Sequence, residues 1–448
     1  MQEIINYKYD SFSKLVTQKH QSLLFLANYS EIEESESPVL FRGTLENAFI
    51  IAKCLIALFN IVKSNFNLSP IQLDLLKDPI ITVGNNKIRF EGFSHCASIY
   101  ARVDIFERKQ NQGFIKNGST NVNFNQDLVS ALGGISRNDK IKLEVGRKQI
   151  EVTDKNKTII ERKVPLPIKW IKGLINIQQY MSQSDLYFTL DRIQALKLFR
   201  SIPASSINSD YYLIKRGNKF VFSPIKAENS IVIGGVNRLK LIEPLLPYID
   251  KLKIFAKNDM QSVTCQLYFE NTIFSFSLSR NTWRGFSGEG AVLDSLLEEL
   301  PNELINKMNN FSYVNQEFNS TWLAIDKNES FDKIDNIIGK LAAIGLLGFD
   351  LEYNHYFYRK LPFKINRILS LNPRLKGVER LIEEKKVHII SSVDNKIEAK
   401  VEGSGVTHYI VLNDSNEKCT CVWHSQTHGE RGPCKHILAV KKITNFKK

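Results

Sequence analysis

Residues 252–278 read LKIFAKNDMQSVTCQLYFENTIFSFSL. Three runs of branched and aromatic residues, Leu252–Ala256, Val263–Phe269 and Thr272–Leu278, have the composition of strands, and Glu270-Asn271 is the turn that joins the last two. Upstream, Val236–Leu246 reads as an amphipathic helix. The unit is a helix followed by antiparallel strands, and the same order recurs earlier in the chain. A helix behind Thr44, read as its N-cap, runs to about Phe66 and precedes Ile80–Val83, Lys87–Phe93 and Ser98–Ile105. A short helix, Asn125–Leu132, ends at Gly133-Gly134 and precedes Lys140–Val145, Gln149–Thr153 and Thr158–Val164. The Lys140–Val145 run alternates strictly, as a half-buried strand should. Asp191–Phe199 precedes Tyr211–Lys215 and Lys219–Phe222.

Four such units predict an α+β fold, with sheets carrying helices on one face. Their order resembles the two-domain plan of DNA sliding clamps, a resemblance of element order with no motif behind it. Two units fill residues 1–175 and two fill 176–291. After Gly290 the pattern turns helical, with Leu293–Met308, Phe331–Leu347, Pro362–Leu371 and Leu375–Lys385 forming a connector over 292–385. Strands Val387–Val393, Lys396–Val401 and Thr407–Leu412 then open a terminal unit over 386–448.

At 448 residues the chain exceeds the size of one core, and 43% hydrophobic with 24% charged residues is the balance of a soluble globular protein. The start lacks the pattern of a signal peptide, and the most apolar run, Ala48–Val62, is interrupted by Lys53 and Asn60. The expectation is a cytoplasmic protein with no membrane segment. Net charge is +13 and uneven: from Asn354 onward there are 18 Lys and Arg against 9 Asp and Glu. A basic end of this kind attracts polyanions, nucleic acid above all, although a solvated basic surface has the same composition.

Of the six cysteines, Cys54, Cys96 and Cys265 stand alone in apolar stretches and read as small buried hydrophobes. The other three cluster: Cys419-Thr420-Cys421, twelve residues, then Cys434-Lys435-His436. Thiolate and imidazole are the ligands that tetrahedral Zn²⁺ takes in structural sites, so Cys419, Cys421, Cys434 and His436 are the expected ligands. One residue between two thiolates lets a chain leaving a strand aim both at one ion. Pro433 suits the first position of a helix that brings the second pair. Four filled positions leave none for water or substrate, so Zn²⁺ here would be structural. His424 and His428, inside the gap, are competing ligands by type and are assigned to the exposed loop, with Trp423 as a cap on the small core. Arg431, Lys435, Lys441 and Lys442 surround the cluster and are the candidate contacts to nucleic acid or a partner.

This arrangement resembles the SWIM zinc finger, Cys-x-Cys followed by a variable gap and Cys-x-His, with Thr407–Leu412 where that family has its last strand. Gly429-Glu430-Arg431-Gly432-Pro433-Cys434-Lys435-His436 looks like the bacterial form. Phe90-Glu91-Gly92-Phe93-Ser94 and the run from Trp283 to Gly290 resemble segments of bacterial SWIM zinc finger family proteins. The resemblance implies a small ββα-type finger that binds DNA or protein. It also implies a protein partner, since members resemble components of operons encoding AAA-type ATPases and von Willebrand factor A proteins.

Other constellations carry less. Gly285-Phe286-Ser287-Gly288-Glu289-Gly290 could form an anion nest but lacks the Gly-Lys-Ser/Thr of a phosphate loop, and a tight loop leaving a strand accounts for its glycines; Trp283, Arg284 and Glu289 remain candidates for a contact surface. Ser94-His95-Cys96 places a thiol beside an imidazole, but strand neighbours point to opposite faces. His355, among Tyr353, Tyr356, Phe357 and Tyr358, reads as packing in a helix junction. Neither paired carboxylates nor a dinucleotide fingerprint is present, and the sequence points to a binding protein, with an enzyme assembled from distant residues as the remaining alternative.

Overall fold

The computed structural model describes residues 5–7, 14–18, 21–26, 40–64, 79–84, 86–106, 113–121, 126–145, 164–166, 168–204, 209–282, 285–288, 317–327, 330–343, 347–359, 373–393, 395–403, 405–414, 416–429 and 432–446. Helices and sheets are mixed throughout, as the α+β reading expected.

An eight-stranded antiparallel sheet forms the centre of the body. Its strands, in spatial order, are Ser184–Asp191, Lys251–Lys257, Ser262–Phe269, Thr272–Ser279, Ile99–Phe106, Lys87–Phe93, Ile80–Gly84 and Gly118–Asn121. The two halves of the chain meet at the seam between the fourth and fifth of these, which pairs Thr272 with Ile105 and Leu278 with Ile99. Directly paired residues share a face. One face is apolar, with Ile88, Phe90, Ala101, Val103, Phe274 and Phe276 buried under the helix Ala48–Lys63 and the 3₁₀ segment Val236–Tyr248. The opposite face carries Thr82, Arg89, Glu91, Arg102, Asp104, Ser275, Ser277, Gln266 and Thr264, all buried.

That second burial departs from the expectation of helices on one face only. The helix Ile168–Ser182, which the sequence did not mark, and a three-stranded sheet of Glu317–Phe318, His355–Tyr358 and Leu347–Asp350 cover the polar face. The charges survive because they are matched across it. Arg359 donates to Glu91 at 2.9 Å, Lys87 lies 3.0 Å from Asp350, and Arg89 pairs with Glu317.

Several element boundaries differ for local reasons. Thr44 belongs to the strand Phe41–Leu45, and the helix Ala48–Lys63 begins behind Asn47, which is left-handed and makes no side-chain cap. Asp191 does cap the helix Arg192–Phe199, in a reciprocal capping box with Gln194. Val236–Tyr248 winds as a 3₁₀ helix rather than the α-helix read from its periodicity, with Pro244 and Pro247 in its second half. The helix Phe331–Ala343 stops short of Leu347, which opens a strand, and His355 lies in a strand rather than at a helix junction. The readings Gln149–Thr153, Leu293–Met308, Pro362–Leu371 and, apart from Val164, Thr158–Val164 fall outside the described residues.

At the seam, Arg238 is 1% exposed and, among the described residues, has no carboxylate at its guanidinium. It donates instead to the carbonyls of Ser98, Ser279, Gly234 and Gly235, which ties the ends of the two seam strands together. Burial holds its pKa down, to about 10. Gly285 is left-handed at φ +53°, and a Cβ there would stand 2.2 Å from the Ala97 carbonyl oxygen. Phe286 N–H donates to that oxygen at 2.8 Å. Close approach of two backbones accounts for this glycine.

Candidate metal centre

The terminal module is a four-stranded antiparallel meander: Val387–Val393, Lys396–Glu402, Thr407–Asn413 and Asn416–Cys419. Ile397, Ala399 and Val401 alternate inward and meet Ile410 and Leu412 of the next strand. The terminal helix Lys435–Thr444 adds Ile437, Leu438 and Val440, and the helix Pro373–Glu383 adds Leu375, Val378 and Leu381. The latter helix, read from sequence as part of the connector, shares the module's core. Arg374 fastens it, stacking 4.0 Å from the Trp423 ring centroid and donating to the Pro433 carbonyl at 3.2 Å. The module is thus a four-stranded sheet with helices, larger than the ββα unit expected.

Each ligand candidate is placed by a short-range device. Cys419 ends the last strand opposite Ile410. Thr420 prolongs the pairing by one residue, its N–H donating to Tyr409 O and its Oγ1 accepting from Tyr409 N–H. Cys421 is then the N-cap of the helix Val422–Thr427, its sulfur accepting from His424 N–H at 3.5 Å. Cys434 is the N-cap of the terminal helix, its sulfur accepting from Ile437 N–H at 3.5 Å. Pro433 therefore precedes the cap and is not the first helical residue. His436 follows in the first turn. Both helix starts favour thiolate over thiol.

The four ligand atoms lie within 4.8 Å of one another and all four residues are buried. Nδ1 of His436 is 3.8 Å from the Cys419 sulfur and 3.9 Å from the Cys434 sulfur. A tetrahedral ion with metal–sulfur bonds of about 2.3 Å and a metal–nitrogen bond of about 2.0 Å separates its ligands by roughly 3.5–3.8 Å. The donor set fits a metal ion, with separations up to about 1 Å longer than these values. Hydrogen bonds from Cys419 and Cys434 hold the Cys421 thiol well below the usual range, and the same contact pushes Cys419 up. Nε2 of His436 is buried with no hydrogen-bond partner among the described residues. The His408 ring lies against it, centroids 4.2 Å apart, and sequence reading missed this neighbour because it comes from the preceding strand.

The remaining sequence candidates separate. His428 is exposed at the left-handed end of its short helix, while His424 is part-buried inside that helix and not on the exposed loop expected for it. Trp423 packs partly buried against the module core and donates to Gly432 O at 3.3 Å. Lys441 is 5% exposed and lies 2.7 Å from Glu417, so it is committed to an internal ion pair. Lys435 and Lys442 are half-buried, the stem of Lys435 running across Gly377. Arg431, Trp283, Arg284 and Glu289 lie outside the described residues. Cys96 faces the hydroxyls of Ser98, at 3.0 Å, and Ser94, at 3.4 Å, while burial pushes the thiols of Cys54 and Cys265 up, the latter to about 12.

No family model matches the chain, and no curated protein matches it. Among solved structures, the proliferating cellular nuclear antigen of Entamoeba histolytica superposes on 54% of this chain over 99% of its own, at 10% identity and a TM-score of 0.34, a weak likeness. Among the described residues no helix is long and apolar enough to cross a membrane.

Proposed function

We propose that this chain is a zinc protein whose C-terminal module is of the SWIM type and attaches the molecule to a polyanion, nucleic acid in the first place. The observation that carries the reading is the mutual approach of four buried Cys and His donors to within 4.8 Å. Zinc would be held by the sulfurs of Cys419, Cys421 and Cys434 and by Nδ1 of His436. It would supply folding energy to a module with a small core, and a closed set of four ligands leaves no position for chemistry. The basic charge of the terminal segment supports the polyanion. Since Lys441 is paired with Glu417, and Arg380 of the neighbouring helix with Glu384, each at 2.7 Å, the contact set becomes Lys435 and Lys442 with the exposed Lys376 of that helix. We read the body as clamp-like on its own element order, two halves joined edge to edge in one sheet.

The test is binding of duplex and single-stranded DNA and RNA across a salt series. Affinity should fall linearly on a log–log plot, and K435E with K442E should flatten the slope by about one to two units. No binding at low salt overturns the nucleic-acid part.

A second reading, a protein adaptor, draws on the edge strand Val387–Val393, which exposes Ile389, Ile390 and Val393. Uncovered apolar edges of this kind accept a partner strand. A partner captured from native extract should be lost on I389K; equal capture removes this reading.

A further inference from the structure

The four-stranded sheet of the terminal module has one face on the core and one turned away from it. Ile397, Ala399 and Val401 of its second strand and Ile410 and Leu412 of its third point into the core. Side chains alternate along a strand, so Lys400 and Glu398 of the second and Tyr409 and Val411 of the third lie on the outer face. The helices Pro373–Glu383 and Lys435–Thr444 pack on the inner face, and among the described residues no helix covers the outer one. Tyr409, near its centre, is 53% exposed.

Tyr409 stands between two lysines. Lys400 is its direct partner on the second strand, with Nζ 5.3 Å from the ring centroid. Lys418, exposed on the fourth strand, pairs with Val411 two residues along. The carboxylates on this face are already engaged, Glu398 with Lys396 at 2.5 Å and Glu402 with His388 at 3.1 Å. Lys400 and Lys418 have no carboxylate partner among the described residues. The face thus presents one exposed ring flanked by two uncommitted cations.

A single exposed tyrosine is common on protein surfaces. A ring between free cations on an open sheet is a more particular arrangement: it can take a nucleobase on the ring and phosphates on the lysines. The bases of a duplex are stacked on one another and offer no face to a ring, whereas those of a single strand do. A protein partner fits less well, because the centre of a protein interface is apolar and here Val411 is the one aliphatic residue beside Tyr409.

We propose that the outer face of the terminal sheet is a binding site for single-stranded nucleic acid, with Tyr409 stacking on a base and Lys400 and Lys418 holding the phosphates on either side. Neither contact involves the sugar, so DNA and RNA strands bind alike. The inference rests on the reading of the module as a nucleic-acid binder and adds a second surface to it, since Lys435, Lys442 and Lys376 belong to the helices and not to the sheet.

The experiment measures the anisotropy of fluorescein-labelled oligo(dT) and oligo(U), and of a DNA duplex of the same length, on the full-length, zinc-loaded protein. Y409A should weaken both single strands by about tenfold or more and leave the duplex unchanged, while Y409F, which keeps the ring, should bind as the wild type does. K400Q combined with K418Q should reduce the salt slope on single strands by about 1.4 units. Should Y409A lose its zinc, the slope of the K400Q/K418Q protein decides. Single strands bound equally by the wild type, Y409A and K400Q/K418Q, but weakened by K435E/K442E, overturn this inference and leave the helix contacts standing. No binding of any nucleic acid at low salt overturns both. A loss confined to oligo(dT) or to oligo(U) overturns the sugar-independent mode. Unchanged nucleic-acid binding by Y409A, with loss of a protein partner captured by the wild type, assigns the face to protein and overturns the inference as well.

Discussion

Nδ1 of His436 stands 3.8 Å from the sulfur of Cys419, the residue that ends the last strand of the terminal sheet. One donor comes from a strand end and the other from the first turn of a helix, so a shared ion closes the sheet onto the helix. Cys434→Ser should therefore abolish binding of one zinc equivalent and melt residues 373–446, a loss on the order of 10 kcal/mol of metal-linked folding energy. Metal content and hydrogen exchange, read separately for module and body, check this; a module that stays protected without metal would contradict it.

Lys441 and Lys442 are neighbours with opposite tasks. Lys441→Ala removes the partner of Glu417, 18% exposed at its side chain, and should cost the module about 1–3 kcal/mol with little change in the salt slope of polyanion binding. Lys442→Ala should leave stability within about 0.5 kcal/mol and reduce that slope by about one. Chemical denaturation and a salt titration of both variants decide it.

Burial alone would raise the Asp350 carboxyl, but Arg102, Lys87 and Arg89 outweigh it and hold the pKa down to about 2, against 3.8 ordinarily. A folded-state value below the unfolded one means stability that is fully present above about pH 4. It is lost as pH falls towards 2, about 2 kcal/mol in all. Asp104 close by is shifted upward by burial and acts in the opposite sense. The difference between wild type and D350N isolates the first effect: stability curves measured from pH 6 to pH 2 should converge as pH falls.

Arg238 satisfies four backbone carbonyls at the seam, and no shorter cation replaces a planar fork of donors. Both R238M and R238K should destabilise the body by about 3 kcal/mol or more, because buried carbonyls are left without donors. Urea unfolding followed by intrinsic fluorescence measures this; rescue by R238K would show that charge alone matters there.

What the sequence revealed was what is local. Lys140–Val145 and Val263–Phe269 alternate or cluster strongly enough to be read by eye, and the structure places both as strands with almost those limits. The Cys-x-Cys and Cys-x-His pairs are legible because thiols and an imidazole at such short spacings suit a metal and little else. Missing were the relationships made at long range. Nothing near Glu91 announces Arg359, 268 positions away, and the cover over the polar sheet face follows from such pairs. For the same reason Lys441 looks like a free basic residue in the sequence, where Glu417 beneath it cannot be seen.

The seam between Ile105 and Thr272 also has a consequence in time. The strand Ile99–Phe106 leaves the ribosome roughly 170 residues before the strand that hydrogen-bonds to its edge, an interval of about 10–30 s at common synthesis rates. Throughout it the nascent first half presents an open strand edge to every other chain on the polysome. Expression temperature and chaperone supply should therefore govern the soluble yield of this protein more strongly than its final stability does.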